Sequence, residues 1–84
     1  MYYVYIIKSI KIDYLYLGCT GDLKARIKLH NENRVKSTKN KGPFEVRYYE
    51  AFYSKEDAFQ REKKLKKNYR GLQELKKRTA SSLS

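Results

Sequence analysis

The sequence predicts one small domain of the α/β class, of the α+β type, in which a three-stranded antiparallel sheet is flanked by helices in the order β-β-α-β-α-α. Three segments are rich in β-branched and aromatic residues, as strands are, and the segments around them have helical spacing with capping residues at their starts. The 84 residues suffice for one modest core. Three strands are the smallest sheet that is stable by itself.

The first two strands are expected to pair as a hairpin. Residues 2–7 read Tyr-Tyr-Val-Tyr-Ile-Ile, residues 14–17 read Tyr-Leu-Tyr-Leu, and a short connection at 9–13 joins them. Gly18 is expected to end the second strand. The hairpin therefore places two tyrosine-rich segments side by side.

The first helix follows this hairpin and carries two polar residues on its inner face. Thr20 or Asp22 can cap it, and it should run to about residue 31. At about 100° per residue, Arg26 and His30 fall among the apolar residues. The opposite arc carries Lys24, Lys28 and Asn31. An arginine and a histidine on the face that meets the protein require a reason other than solvation.

The third strand follows a polar, basic loop at residues 32–43. Phe44, Val46 and Tyr48 alternate with polar residues, which predicts a strand to about residue 52 with these three side chains on one face. Ser54 then begins a capping box, which predicts a second helix.

Glu62 interrupts the apolar stripe of that second helix, which should run to about residue 67. It lies close in angle to Ala58 and Leu65, where a leucine would be expected. After a break at 68–71, a short last helix should end near residue 78. The domain is thus expected to cover residues 1–78, with 79–84 as a polar tail.

The charge of the chain favours an acidic partner, and nucleic acid is the first candidate. Twenty Lys and Arg residues against nine Asp and Glu residues give a formal net charge of +11. The excess lies mainly in the loop and in residues 61–78. We expect nucleic-acid contacts at Lys24, Arg34, Lys36, Lys39 and Lys41. A solvated loop and a solvated helical face are the structural alternatives.

Composition argues against several other classes of protein. The single cysteine, Cys19, cannot form an internal disulfide and fits a reducing cytosol. The sequence shows no secretory signal and no apolar run near the roughly 20 residues of a membrane span. We therefore expect a cytoplasmic protein that does not bind membranes, as a monomer or a weak homodimer.

Two tyrosine tripeptides and three later residues resemble the GIY-YIG nuclease family, most closely its small stand-alone members. Tyr16 lies eleven residues after Tyr5, Arg26 ten residues after Tyr16, and His30 four residues further. The resemblance covers residues 2–78 and rests on Tyr3-Val4-Tyr5, Tyr16-Leu17-Gly18, Arg26, His30 and the Arg-Glu-Lys context of Glu62. Either tripeptide alone is weak, whereas the whole combination is specific.

The resemblance implies an endonuclease that hydrolyses phosphodiester bonds in DNA, in repair or recombination. It implies that Tyr5 and Tyr16 are the paired motif tyrosines, that Arg26 binds phosphate and that His30 is the helix histidine. It also implies that Glu62 is the sole protein ligand of a divalent metal. Mg²⁺, or another divalent cation such as Mn²⁺, suits one carboxylate because Mg²⁺ keeps several waters.

The chemistry gives each of these residue types a purpose. A guanidinium and a hard cation stabilise the charge that develops on phosphate oxygens. A tyrosine can act as a base near neutral pH only if positive charge lowers its pKa. We expect Arg26 and the metal to do this for Tyr16 as the general base, with Tyr5 as an orienting partner. The reverse order remains open.

Other interpretations also remain open. Many family members have a lysine directly after the second tripeptide, where this chain has Cys19. Arg26 and Glu62 could form a buried structural ion pair, and Cys19 with His30 could form a thiol nucleophile pair. The tyrosines and His30 could serve packing alone. The alternative functions are a non-catalytic nucleic-acid-binding module and an accessory subunit of a repair complex.

Overall fold

A computed structural model of the chain describes residues 1–67, in which a three-stranded antiparallel sheet carries one helix on each face. The elements are β1 (Tyr2–Ser9), β2 (Leu15–Thr20), α1 (Leu23–Asn31), a 3₁₀ turn (Lys36–Thr38), β3 (Phe44–Phe52) and α2 (Lys55–Lys67). The predicted fold class and the order β-β-α-β-α are thereby confirmed. The predicted break, last helix and tail lie outside the described residues.

Strand β1 is the centre of the sheet, which has the order β2-β1-β3. It pairs with β2 so that Tyr5 lies opposite Gly18 and Ile7 opposite Tyr16. The predicted hairpin of the first two strands is therefore correct. Four consecutive residues of β1, from Val4 to Ile7, are buried. A continuous apolar run is typical of a strand that is covered on both faces.

The two faces of the sheet hold separate apolar clusters, because successive side chains of a strand point to opposite sides. The first lies under α2 and includes Val4, Ile6, Leu17, Ala58 and Leu65. The second lies under α1 and includes Tyr5, Ile7 and Phe44, with Leu23 and Ile27 of α1 packed against it. The tyrosine motifs therefore face α1.

A bulge in β3 contradicts the predicted single face for Phe44, Val46 and Tyr48. Ile6 pairs with Tyr48 and Ile7 pairs with Val46, so Arg47 has no place in the ladder between them. One extra residue shifts the alternation by one position. Tyr48 consequently packs on the α2 side, whereas Phe44 packs on the α1 side.

Strand β2 continues past Gly18, although the sequence predicted that this glycine ends it. Gly18 is buried inside the strand, and a Cβ placed there would overlap the ring and hydroxyl of Tyr5. The missing side chain is what allows the Tyr5 ring to lie across β2. Gly18 therefore serves a close approach of a side chain to the backbone rather than a turn.

The helix starts agree with the expected capping chemistry. The Asp22 carboxylate accepts a hydrogen bond of 3.0 Å from the backbone N–H of Ala25, so Asp22 is the cap of α1. The hydroxyl of Thr20 accepts from the backbone N–H of Asp22 at 3.1 Å instead. Ser54 accepts from the N–H of Asp57 at 3.3 Å at the start of α2.

The replacement Gly18→Ala should destabilise the protein by about 1–3 kcal/mol, because the new methyl group overpacks against Tyr5. Urea unfolding monitored by circular dichroism measures this change. Gly21→Ala is the matched control, since its Cβ would meet the nearest atom of Tyr2 at 3.4 Å, an ordinary contact. Equal stability of the two variants would contradict the close packing at Gly18.

Candidate active site

Helix α1 presents Arg26 and His30 to the sheet face that carries the motif tyrosines. His30 is completely buried and Arg26 is half-buried, whereas Lys24, Lys28 and Asn31 are exposed. The helical spacing thus placed both polar residues on the inner face correctly. His30 packs among aromatic rings, with centroids 5.1 Å from Tyr16 and 5.8 Å from Tyr5.

His30 is bonded through both of its ring nitrogens. The Tyr5 hydroxyl lies 2.7 Å from Nε2, and the Thr38 hydroxyl lies 2.7 Å from Nδ1. Burial lowers the pKa of His30 to about 4, and the positive charge of Arg26 acts in the same direction. The imidazole is therefore neutral at pH 7 and is hydrogen-bonded to two hydroxyl groups.

Tyr5 is a weaker acid in this site than in water. Burial raises its pKa to about 12, although a hydrogen bond from Arg26 and the positive charge of Arg26 act in the opposite direction. The repulsion expected between a Tyr5 phenolate and the neighbouring Tyr16 and Glu62 adds to the effect of burial. The positive charge of Arg26 therefore does not bring the pKa of Tyr5 down to its ordinary value of 10.0.

Arg26 has a buried donor without a partner among residues 1–67. Its guanidinium is close enough to the Tyr5 hydroxyl to act on the pKa of Tyr5, while its Nε is buried and has no hydrogen-bond partner in the described part of the chain. An unpaired buried donor costs free energy of the order of 1–3 kcal/mol. A charged donor left free inside a site is suited to an anionic ligand such as a phosphate oxygen.

Tyr16 is the more accessible of the two motif tyrosines. Its ring is half-buried and lies 6.4 Å from the ring of Tyr5. The Lys66 ammonium lies 6.0 Å from the centroid of the Tyr16 ring. Tyr16 thus lies between the aromatic interior and a cationic side chain of α2.

Glu62 lies near the tyrosines although α2 covers the other face of the sheet. Its side chain is 15% exposed and forms an ion pair with Lys66, one helical turn further on. The Lys66 Nζ atom lies 3.2 Å from Oε2 of Glu62. Its charge raises the pKa of Tyr5 in addition to the larger effect of burial. The partner of Glu62 within residues 1–67 is Lys66, so the buried pair with Arg26 that the sequence left open does not form there.

The donor set fits a Mg²⁺ ion held by one carboxylate. Within residues 1–67 no group of three or more His, Cys, Asp and Glu side chains is placed to enclose a metal. Mg²⁺ is often bound through one or two carboxylates, with substrate phosphates and waters completing its shell. Glu62 can supply one such ligand if Lys66 moves away, and Lys66 is 52% exposed.

Cys19 lies on the other face of the sheet from His30. It packs against the apolar cluster under α2, and burial raises the pKa of its thiol. The alternative of a Cys19–His30 nucleophile pair is therefore wrong. Cys19 is a partly buried packing residue.

The basic residues proposed for nucleic-acid contacts lie on two sides of α1. Lys36 and Lys39 are exposed beside Thr38, which anchors the loop in the interior. Arg34 is exposed next to Glu32 at 3.9 Å, and Lys41 is half-buried with its ammonium 4.5 Å from the Tyr14 ring centroid. Lys24 borders a separate groove beside Tyr3 and Tyr49.

Two neighbours of the site were not identified from the sequence. Thr38 was only one of several polar loop residues, and nothing in its local pattern distinguishes it from Ser37. Lys66 lies four residues after Glu62, a spacing that favours ion pairs on a helix. The spacing of four residues could therefore have identified Lys66 from the sequence. The contact of Thr38 with His30 depends on the path of the loop instead.

Comparisons with known proteins identify the family of the chain. The GIY-YIG catalytic domain family matches residues 1–77. A UPF0213 protein of Clostridium perfringens is 44% identical over 68 residues, which are 80% of this chain and 72% of that protein. The UPF0213 protein YazA of Bacillus subtilis is 37% identical over 75 residues, which are 88% of this chain and 75% of the YazA chain. No solved structure matches significantly.

The chain therefore belongs to the GIY-YIG family, which confirms the resemblance seen in the sequence. Its domain is of the nuclease type, and membership of this family implies interaction with nucleic acid. No helix within residues 1–67 is long and apolar enough to cross a membrane.

The buried neutral His30 should make the protein less stable below pH 6.5. Its pKa is lowered from 6.5 to about 4, so between these values the unfolded chain binds a proton that the folded protein does not. The stabilisation that comes from neutral His30 is fully present above pH 6.5. The free energy of unfolding falls by about 3 kcal/mol as the pH approaches 4. Urea unfolding at a series of pH values measures this loss.

The variant His30→Gln is the control, because it cannot titrate in this range. It should be less stable at pH 7 but nearly independent of pH between 6.5 and 5. Glu50, whose pKa is lowered chiefly by its hydrogen bond from Arg61, contributes only near and below its ordinary value of 4.5. A wild-type slope equal to that of His30→Gln would show that His30 titrates normally.

Proposed function

We propose that the chain is a Mg²⁺-dependent endonuclease that hydrolyses phosphodiester bonds in DNA. The observation that carries the proposal is the buried Nε of Arg26, which has no hydrogen-bond partner among residues 1–67, beside the two motif tyrosines of a GIY-YIG domain. A guanidinium held with a free donor is prepared for an anion. Repair or recombination of DNA is the proposed setting.

Arg26 is the proposed phosphate-binding group. Its Nε, buried and without a hydrogen-bond partner among residues 1–67, is available to a non-bridging phosphate oxygen. Charge on these oxygens increases in the transition state, so a fixed donor stabilises the transition state more than the bound substrate.

Glu62 is the proposed metal ligand, with phosphate oxygens of the DNA and water as the other ligands. When bound, Mg²⁺ would stabilise negative charge on the leaving oxygen. Lys66, now 3.2 Å from the Glu62 carboxylate, would have to release it.

Tyr16 is the proposed general base, which takes a proton from the attacking water. Tyr5 is a poor choice because burial raises its pKa to about 12 and its hydroxyl is already bonded to His30. Tyr16 is half-buried and has the cationic Lys66 beside its ring. Tyr5 and His30 then orient Arg26 rather than contact the water.

The basic loop is the proposed site of contact with the DNA backbone. Lys36 and Lys39 lie on either side of Thr38, which is bonded directly to His30, so a strand that enters the site passes close to both lysines. These contacts are electrostatic and should depend little on base sequence. The formal net charge of +11 favours such binding.

A non-catalytic nucleic-acid-binding module is the second candidate function. One observation favours it: Lys66 neutralises the carboxylate proposed to hold the metal. Such a module would keep the fold and the basic surface. It would bind DNA without Mg²⁺ and would not cleave it.

The replacement Arg26→Ala should lower the cleavage rate constant about 10²- to 10³-fold, the usual effect of removing one transition-state donor. DNA affinity should fall much less, because the interaction strengthens in the transition state. Arg26→Lys should restore only part of the rate, since a point charge lacks the fork of donors. Single-turnover cleavage and fluorescence anisotropy separate the two effects.

Lys28→Ala is the matched control for Arg26→Ala, because it removes a cation from the exposed face of the same helix. It should leave the cleavage rate constant unchanged. Parallel losses of rate and affinity in Arg26→Ala would assign Arg26 to binding of the substrate alone.

The replacement Glu62→Gln should abolish Mg²⁺ binding and cleavage with little effect on the fold. Its ion pair involves a half-exposed lysine, and such pairs contribute about 0–1 kcal/mol. Stability in chelator should therefore change by no more than about that amount. Calorimetric Mg²⁺ titration, cleavage of labelled duplex and branched DNA, and melting in chelator give the three measurements.

Glu56→Gln is the control for this variant, since it neutralises an exposed carboxylate in the first turn of the same helix. It should bind Mg²⁺ and cleave as the wild type does. A wild-type protein that binds DNA tightly, takes up no Mg²⁺ and cleaves none of the substrates would instead favour the binding module.

A further inference from the structure

Three polar side chains form a buried row behind the proposed reaction site. Tyr5, His30 and Thr38 are at most 1% exposed, and two contacts of 2.7 Å join them. Thr38 lies in the 3₁₀ turn Lys36–Thr38, far in sequence from the tyrosine motifs. The proposed reaction so far assigns no role to Thr38.

The acceptor at the far end of the row fixes the direction of its hydrogen bonds. The Thr38 hydroxyl donates to the backbone carbonyl of Val35, 3.5 Å away, so it accepts from the Nδ1 atom of His30. A neutral imidazole carries one N–H, which is therefore on Nδ1. The Nε2 atom is then the acceptor for the Tyr5 hydroxyl proton.

The donors therefore follow one order along the row. Tyr5 donates to His30, His30 donates to Thr38, and Thr38 donates to the main chain of the loop. The Tyr5 oxygen is thereby left as an acceptor for Arg26, whose guanidinium acts on the Tyr5 hydroxyl and can only donate.

We propose that Thr38 is a positioning residue, which holds His30 in the Nδ1–H tautomer and thereby orients Tyr5 and Arg26 for phosphate binding. The catalytic consequence rests on the proposed function, whereas the tautomer does not. A histidine that acts as a catalytic base in other enzymes is fixed in the same way, by a third group that bonds to its far ring nitrogen.

The other tautomer would disrupt the site. An Nε2–H group would donate to the Tyr5 oxygen and would compete there with the Arg26 guanidinium. The Tyr5 proton would then have no acceptor in a region closed to water, and a buried donor without a partner is costly. Tyr5 or Arg26 would have to turn away, so Arg26 would lose its fixed orientation.

The position of Thr38 also connects the site to the basic loop. Lys36 and Lys39 are exposed on either side of it, while its hydroxyl bonds to His30. A correctly folded loop is therefore a condition for the tautomer of His30. The part of the chain proposed to contact DNA and the part proposed to stabilise the transition state share one hydrogen-bond row.

Nitrogen-15 NMR of the imidazole tests the proposal directly, because the chain has one histidine. The wild type should show a protonated Nδ1 and an unprotonated Nε2. In Thr38→Val, which keeps the shape but has no acceptor, the two nitrogen shifts should move towards each other as the Nε2–H tautomer becomes populated. Thr38→Ser should retain the wild-type shifts.

Cleavage kinetics supply the second measurement. Thr38→Val should lower kcat by about three- to tenfold, the rate equivalent of one hydrogen bond, with the Kd for DNA unchanged. Thr38→Ser should restore the rate. Ser37→Ala, which removes the exposed neighbouring hydroxyl of the same turn, should have no effect on either the rate or the nitrogen shifts.

Each outcome either supports or overturns the role of Thr38. A wild-type Nε2–H tautomer overturns it, and so do wild-type nitrogen shifts in Thr38→Val. Absence of cleavage by the wild type would refute the nuclease proposal alone, since the nitrogen shifts still decide the tautomer. If Thr38→Val does not fold, the shifts of the wild type and of Thr38→Ser decide the question.

Discussion

The two hydrogen bonds of the buried His30 are the interaction on which the rest of the site depends. Its two nitrogens bond to Tyr5 of β1 and to Thr38 of the loop, and α1 carries the ring itself. Loss of either partner would leave a polar atom unpaired in an interior closed to water, which costs more than an ordinary hydrogen bond gains. Three separate parts of the chain must therefore be in place together.

Gly18 is the second requirement, because Tyr5 reaches His30 only by lying across β2. A side chain at position 18 would occupy the space of the Tyr5 ring. The glycine of the second tripeptide and the last tyrosine of the first thus meet as direct neighbours in the sheet, opposite each other in the register. Two short motifs far apart in sequence form one packed unit.

Much of the fold and the inner face of α1 could be predicted from periodicity. Aromatic and β-branched composition identified the first two strands and alternation identified the third. Helical spacing singled out Arg26, His30 and Glu62 as polar residues on inner faces. The bulge at Arg47 could not be predicted, since the sequence continues to alternate through it while the pairing shifts. The contact of Thr38 with His30 could not be predicted either, because a loop has no periodicity from which to infer direction.

The electrostatics of the site suggest why two tyrosines are present rather than one. A tyrosine buried deeply enough to hold Arg26 and His30 in fixed positions has its pKa raised to about 12, which makes it unsuited to accept a proton from water. Rigid positioning in the interior and deprotonation near neutral pH therefore require different environments. In the proposed reaction Tyr5 supplies the first, and Tyr16 takes the second role at the boundary, with Lys66 beside its ring. The separation of these roles follows the difference in burial, since Tyr5 is 1% exposed and Tyr16 is half-buried.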